Sequence, residues 1–192
     1  MLPALSLAIL LGAIWWLNPR AISPLGFQLM FNLAVPIALA TVAQMCIMAV
    51  NDLDLGIGAY IGLVVCIAAT WLNETPVLGV LALAATLVIY MALGALIHLR
   101  NLPSIVVTLG MSFVWLGLAI LVLPTPGGKS PEWLSALMKL KTPLIPFPIL
   151  AAIAIALASH FLLMRTAYGA ILRGAGGNPK AIERAGWSLL KV

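Results

Sequence analysis

"PVLGVLALAATLVIYMALGALI", residues 76–97, is a run of 22 predominantly apolar residues without a charged side chain. About 20 apolar residues wound as an α-helix span the roughly 30 Å hydrocarbon core of a bilayer. The run lacks the alternation of apolar and polar residues that membrane β-strands show. It therefore predicts a transmembrane helix.

The composition extends that prediction to the whole chain. Hydrophobic residues make up 64% of the 192 residues and charged residues 8%, whereas soluble domains carry about 45–50% and about 25%. We predict an all-α, polytopic transmembrane helix bundle with about six spans, at residues 2–17, 27–50, 53–72, 76–97, 105–123 and 147–164. The first run has no basic segment before it and no cleavage pattern after it, so a membrane helix is favoured over a signal peptide.

The charge distribution predicts the orientation. Residues 165–192 hold five basic residues and one acid, a net charge of +4, while the first 164 residues have a net charge of +1. Because basic residues collect on the cytoplasmic side of membrane proteins, this tail is predicted to be cytoplasmic rather than to bind nucleic acid. Counting back along the spans places the N-terminus inside and the loop 124–146 outside. The basic residues that fit this orientation poorly are Arg20, Lys129, Lys139 and Lys141.

The predicted external loop contains a short helical pattern. In "SPEWLSALMKL", residues 130–140, Ser130 can cap a helix that starts with Pro131. Trp133 begins an apolar stripe on this segment and is suited to the depth of the lipid headgroups. We expect a short interfacial helix here.

A polar interruption separates two of the apolar runs. In "MAVNDLDLGIGAYIG", residues 48–62, Asn51, Asp52 and Asp54 break what would otherwise be one long apolar stretch. A carboxylate at the centre of a bilayer costs about 2.5–3.5 kcal/mol on insertion scales. Two compatible interpretations remain: a turn in which an aspartate caps the next helix, or a broken or re-entrant helix that lines a polar pathway.

Two further polar residues lie inside spans. Thr108 belongs to "NLPSIVVTLGMSFVWLGLAILV", residues 101–122, and Gln44 follows Pro36, which should kink its helix. Either residue could serve helix packing or contact a solute. The candidates for a translocation pathway are therefore Asn51, Asp52, Asp54, Thr108 and Gln44.

Catalytic and cofactor chemistry finds little support in the sequence. No set of His, Cys, Asp and Glu has metal-ligand spacing, and no phosphate-binding loop is present. Cys46 and Cys66 lie in apolar runs and form no CxxC pair, so they indicate packing. We expect no catalytic residue, no metal and no cofactor bound by this chain.

The polar tail predicts a short helix with an unusual surface. In "RGAGGNPKAIERAGW", residues 173–187, Asn178 can cap a helix that begins at Pro179. One face of this helix carries the small or modest side chains of Ala181, Ile182, Ala185 and Gly186. A helix this short needs a partner, and a protein groove suits the small face better than lipid does.

Three stretches together resemble a known family: "LDLGIG" (53–58), "LPSIVVTLGMSFVWLGLAIL" (102–121) and "RTAYGAILRGAGGNPKAIERAG" (165–186). They are similar to the membrane permeases of bacterial ABC importers for monosaccharides of the ribose, xylose, arabinose and galactose type, and more distantly to branched-chain amino-acid permeases. The resemblance implies one transmembrane permease domain over residues 1–192 in the bacterial cytoplasmic (inner) membrane. It implies three partners: an ATP-hydrolysing cassette subunit that binds ATP and Mg²⁺, a second permease copy and an external solute-binding protein. The residues it assigns to ATPase coupling are Gly176, Gly177, Asn178, Ala181, Glu183 and Gly186.

The chain also departs from that family's pattern. Asp52 is an additional acid, Gly56 stands in place of a serine, and Trp187 in place of a small aliphatic residue. The family's permeases continue beyond the coupling loop, so we expect this chain to be a truncated product or a fragment.

Two other classes of function remain as alternatives. The first is an intramembrane enzyme that uses Asp52 and Asp54. Residues two apart on one helix point about 200° away from each other, and Glu74 and Glu132 lie in predicted loops. The second alternative is a structural membrane subunit.

Overall fold

The fold is all helical in the part of the chain that is described. A computed structural model describes residues 2–19, 23–138, 140 and 147–191. The helices in chain order are α1 (Leu2–Leu17), α2 (Pro24–Ala49), α3 (Ile57–Ala69), α4 (Trp71–Glu74), α5 (Pro76–Arg100), α6 (Ser104–Val122), α7 (Glu132–Met138), α8 (Phe147–Arg165), α9 (Ala167–Gly177) and α10 (Pro179–Arg184). A 3₁₀ turn follows at Leu189–Lys191. The prediction of an all-α transmembrane bundle is confirmed.

Five helical segments are long and apolar enough to cross a membrane: Leu29–Ala49, Ile57–Glu74, Pro76–Arg100, Ser104–Val122 and Phe147–Arg165. The sixth predicted span, α1, has 16 residues and is therefore about 24 Å long. It is shorter than the hydrocarbon core because the apolar run ends at Asn18. The number of full-length spans in the described residues is thus five rather than six.

The predicted span 53–72 is wrong at its start, because the helix begins only at Ile57. α2 ends in a Schellman motif, in which Asn51 takes the left-handed conformation with φ 64°. The Asn51 amide donates to the Met48 carbonyl at 3.0 Å, and the Asp52 amide donates to the Ile47 carbonyl at 3.2 Å. The predicted interruption between two helices is therefore present, with residues 50–56 outside any helix.

The best-buried part of the bundle lies between α3 and α6. The two helices run side by side in the same direction, since Asp52 bonds to Ser104 and Leu55 bonds to Thr108. The core between them consists of Leu63, Ile67, Trp115 and Ala119. α5 lies against the same core through Leu83 and Tyr90.

A second group of helices carries the tail. α2 packs along α8, and α9 contacts both of them before the chain turns into α10. Direct contacts between α2 and α3 are few. The interruption 50–56 connects the two groups along the chain.

The loop after α6 folds over the opposite end of the bundle. Gly128 takes φ 89°, and the Lys129 amide donates to the carbonyl of Ala69, the last residue of α3, at 3.1 Å. The predicted helix in this loop is confirmed as α7, but it begins at Glu132 rather than Pro131. The Ser130 hydroxyl bonds to the Ser135 hydroxyl at 2.6 Å instead of serving as the expected cap. The predictions for Arg20, Lys139, Lys141 and residues 142–146 lie outside the described residues.

Candidate functional site

A buried carboxylate marks the interruption between α2 and α3. Asp54 is 6% exposed. Its Oδ1 accepts the Gly56 amide at 2.6 Å, and its Oδ2 accepts the Tyr90 hydroxyl. The bond to Gly56 fixes the backbone just before α3, as aspartate does in turns. Asp54 therefore ties the start of α3 to α5. A standard cap would be the residue just before the helix and would accept the amide of Gly58 or Ala59.

The first turns of α6 hold the rest of the interruption. The Thr108 hydroxyl, on a residue 5% exposed, accepts the Leu55 amide at 3.0 Å. A Cβ added to Gly56 would lie 2.7 Å from the Thr108 carbonyl oxygen, so the backbones of α3 and α6 touch here. Glycine permits this close approach.

Asp52 has a different partner from Asp54. The Ser104 hydroxyl, at the first residue of α6, donates to Asp52 Oδ1 at 2.5 Å. The expectation that the two acids would point apart on one helix is wrong in its premise, because neither lies on a helix. They nevertheless bond to separate groups. The geometry gives no support to the paired-carboxylate chemistry of an intramembrane protease.

The depth of Asp54 follows from its bond to Tyr90. Tyr90 lies ten residues before the end of α5 at Arg100, which is roughly 15 Å along the helix axis. The carboxylate therefore lies well inside the apolar length of the bundle. Polar and ionisable groups at such depth usually line a water-filled cavity or a solute pathway.

An aromatic cluster adjoins this carboxylate through Tyr90 and was missed in the sequence analysis. The ring centroids of Tyr60 and Tyr90 are 4.4 Å apart, and those of Tyr60 and Trp115 are 5.5 Å apart. Tyrosine and tryptophan normally concentrate at the ends of membrane spans. The mid-span positions of Tyr90 in α5 and Trp115 in α6 were the signal that could have revealed this cluster.

A cavity of about 760 Å³ joins the interruption to the tail. This volume lies in the range of small-molecule sites, about 300–1,000 Å³. From the spans it is lined by Asp52, Asp54, Tyr90, Ser104 and Thr108, and from the tail by Leu172, Ala175 and Pro179.

The predicted pathway residues do not all meet in this cavity. Asp52, Asp54 and Thr108 line it, but Gln44 does not. The Gln44 amide oxygen is buried and has no hydrogen-bond partner among the described residues. Asn51 is exposed, and its left-handed backbone ends α2.

The tail helix α10 has the predicted start and a well-defined end. Asn178 Oδ1 accepts the Ala181 amide at 3.1 Å, and Pro179 is the first helical residue, so the predicted cap is confirmed. Gly186 takes φ 87° and ends the helix in a Schellman motif. Its amide donates to the Glu183 carbonyl at 2.9 Å, and the Trp187 amide donates to the Ile182 carbonyl at 3.2 Å. Gly186 is thus needed for its backbone conformation.

The other residues assigned to coupling fall into two kinds. Ala181 and Glu183 are exposed on α10, and Gly177 has open space around it. Gly176 instead packs against the end of α2. The exposed members form a surface to which another protein could bind.

These features define a polytopic helical membrane protein with a polar interruption deep in its bundle and a short exposed helix on its tail. Among curated proteins, the chain is similar to the Autoinducer 2 import system permease protein LsrC of Yersinia pseudotuberculosis serotype O:1b (strain IP 31758). The two are 31% identical over 194 residues, which cover 97% of this chain and 53% of the relative. The chain therefore spans about half the length of this relative. No family model matches the chain, and no solved structure matches it. The resemblance to import permeases is confirmed by this relative.

Proposed function

We propose that this chain is a transmembrane permease subunit of an ATP-binding-cassette importer in the bacterial inner membrane. It moves a small polar solute, most simply a monosaccharide, and does no catalysis itself. The observation that carries the proposal is the cavity of about 760 Å³ that connects the buried Asp54 to the tail. The import permease to which the chain is similar supports the same assignment.

The lining of the cavity suits a solute with several hydroxyl groups. Asp52 and Asp54 offer acceptor oxygens, and the hydroxyls of Tyr90 and Ser104, whose protons bond to these carboxylates, can each accept a further hydrogen bond. The hydroxyl groups of a monosaccharide can donate to these acceptors. Neutral polar solutes leave no charge to be buried in the membrane, which favours them over ions.

The division of the bundle into two helix groups suits alternating access. α2 of the group formed with α8 and α9 makes few direct contacts with α3 of the group α3–α6, and the interruption 50–56 connects the two groups along the chain. A small rotation of one group against the other would open the cavity to one side of the membrane or the other. In this account the driving force comes from a partner ATPase that binds ATP and Mg²⁺.

The partner ATPase would bind α10 at the cytoplasmic face of the membrane. The exposed small side chain of Ala181 and the flanking charges of Lys180 and Glu183 provide the contact surface. A second permease copy and an external solute-binding protein complete the proposed assembly.

The experiment is reconstitution of the full-length protein with an ABC ATPase subunit from the same organism. We expect no ATP hydrolysis from the permease alone and increased hydrolysis by the ATPase in its presence. Ala181→Trp should abolish this increase, whereas the same change at Ala136, an exposed alanine on α7 at the other end of the bundle, should not. Uptake of labelled pentoses, hexoses and branched-chain amino acids into proteoliposomes then identifies the solute. Equal hydrolysis with and without the permease would contradict the proposal.

A further inference from the structure

One glycine of the tail lies directly against the end of a membrane span. A Cβ added to Gly176 in α9 would meet the carbonyl oxygen of Ala49. It would also lie 2.8 Å from the carbonyl carbon of Val50 and 2.9 Å from its Cα. All three are backbone atoms, which cannot rotate away as the end of a flexible side chain can. The contact therefore holds the backbone of α9 directly against the end of α2.

The backbone beyond this contact leads straight to the polar cavity. Ala49 is the last residue of α2, and Asn51 turns the chain into the interruption that carries Asp54. Val50 from the end of α2 and Ala175 from α9 line the same cavity. A movement of α9 against α2 would consequently change the wall of the cavity.

We infer that Gly176 is a positioning residue: its backbone contact with Ala49 and Val50 passes displacement of the tail to the end of α2 and so sets access to the cavity at Asp54. The inference rests on the proposed function and deepens it, since it names the contact through which a partner's movement would reach the solute pathway. This contact lies entirely within the chain. It can be tested without an ATPase.

The neighbouring glycine provides a matched control. Gly177 lies in the same helix and has nothing within 4 Å of the position that a Cβ would take. Alanine therefore fits at 177 but not at 176. Both substitutions add one methyl group within the last turn of α9, where alanine favours the helical backbone over glycine.

The chain also contains its own reporter of cavity access. Cys46 lines the cavity one turn before the end of α2. Cys66 packs against the core between α3 and α6, away from the tail. Both cysteines are free, so labelling at Cys66 serves as an internal reference.

The experiment is the rate of N-ethylmaleimide labelling at each cysteine, resolved by mass spectrometry, for the full-length protein in inverted membrane vesicles. Gly176→Ala should raise the labelling rate at Cys46 on the order of tenfold. Overpacking by one methyl group shifts the equilibrium between closed and open states by about this factor. Gly177→Ala should leave the rate at Cys46 unchanged. The rate at Cys66 should stay constant in both variants.

Gly176→Ser, which places a larger side chain at the same backbone contact, is a second route to the same displacement and should also accelerate labelling of Cys46. Equal Cys46 rates in wild type, Gly176→Ala and Gly176→Ser would overturn the inference. The inference would also be overturned if Gly177→Ala were recovered from the membrane while both other variants were lost. The contact at Gly176 would then serve folding only. Accelerated labelling of Cys46 without any effect of the permease on an ATPase would instead support the role of Gly176 and refute the proposed importer.

Discussion

The hydrogen bond between Tyr90 and Asp54 connects α5 to the interruption and can be measured by a double-mutant cycle. Tyr90→Phe keeps the ring contacts with Tyr60 and Trp115 but removes the only donor that reaches Asp54 Oδ2 among the described residues. Leaving a buried acceptor without its partner costs about 1–3 kcal/mol. Asp54→Asn should cost a similar amount, because an amide presents an acceptor to only one of the two donors that Asp54 satisfies.

Residues in direct contact couple by about 0.5–3 kcal/mol. Once Tyr90 is phenylalanine, an asparagine at position 54 can turn its oxygen to the Gly56 amide. The double variant should therefore be destabilised by about 0.5–3 kcal/mol less than the sum of the single variants.

The assay is thermal unfolding of the purified full-length protein in detergent, followed by tryptophan fluorescence. Each 1 kcal/mol corresponds to about 2–4 °C in Tm for a chain of this size. Tyr60→Phe is the control, because the Tyr60 hydroxyl has no hydrogen-bond partner in the described part of the chain. It should stay within about 0.5 kcal/mol of wild type. Additive single effects, or a Tyr60→Phe loss as large as that of Tyr90→Phe, would refute the reasoning.

Three other changes test the close approach of helices and the ends of the tail helix. Gly56→Ala places a methyl group 2.7 Å from the Thr108 carbonyl oxygen and should lower the free energy of unfolding by about 1–3 kcal/mol in the same melting assay. Gly58 has open space around it, so Gly58→Ala should not lower the stability. Gly186→Ala forces a side chain into φ 87° and should cost about 1–2 kcal/mol locally, seen as faster amide hydrogen exchange in α10. Asn178→Ala removes the cap of α10 and should cost about 1 kcal/mol by the same exchange measurement, whereas Asn178→Asp, which retains an acceptor, should not.

The membrane helices could be predicted because their length is set by the bilayer. Apolar runs such as residues 76–97 and 105–123 identify spans without any knowledge of the tertiary structure. The tail helix was equally predictable, since Asn178 and Pro179 act on the backbone next to them. Such local signals depend on neighbours in the sequence.

The start of α3 could not be predicted because hydropathy ignores backbone conformation. Leu53 and Leu55 extend the apolar run, so the span was expected to begin at residue 53. The left-handed conformation of Asn51 and the bond of Asp54 to the Gly56 amide keep the chain out of the helix until Ile57.

The centre of the candidate site depends on contacts between distant parts of the chain. Tyr90 lies 36 residues from Asp54 in the sequence, and hydropathy counts a tyrosine inside a span as one more apolar residue. Gly176 likewise resembled the adjacent Gly177 until its packing on the end of α2 set the two apart.

The side of the membrane on which α10 lies is the most direct test of the proposed function. Lys180 is exposed on α10, and Lys180→Cys in a variant with Cys46→Ala and Cys66→Ala provides a single labelling site. We expect a membrane-impermeant maleimide to label this cysteine in inverted vesicles and not in intact cells, and the ATPase subunit to protect it. Labelling in intact cells would place α10 outside the cell and contradict the account.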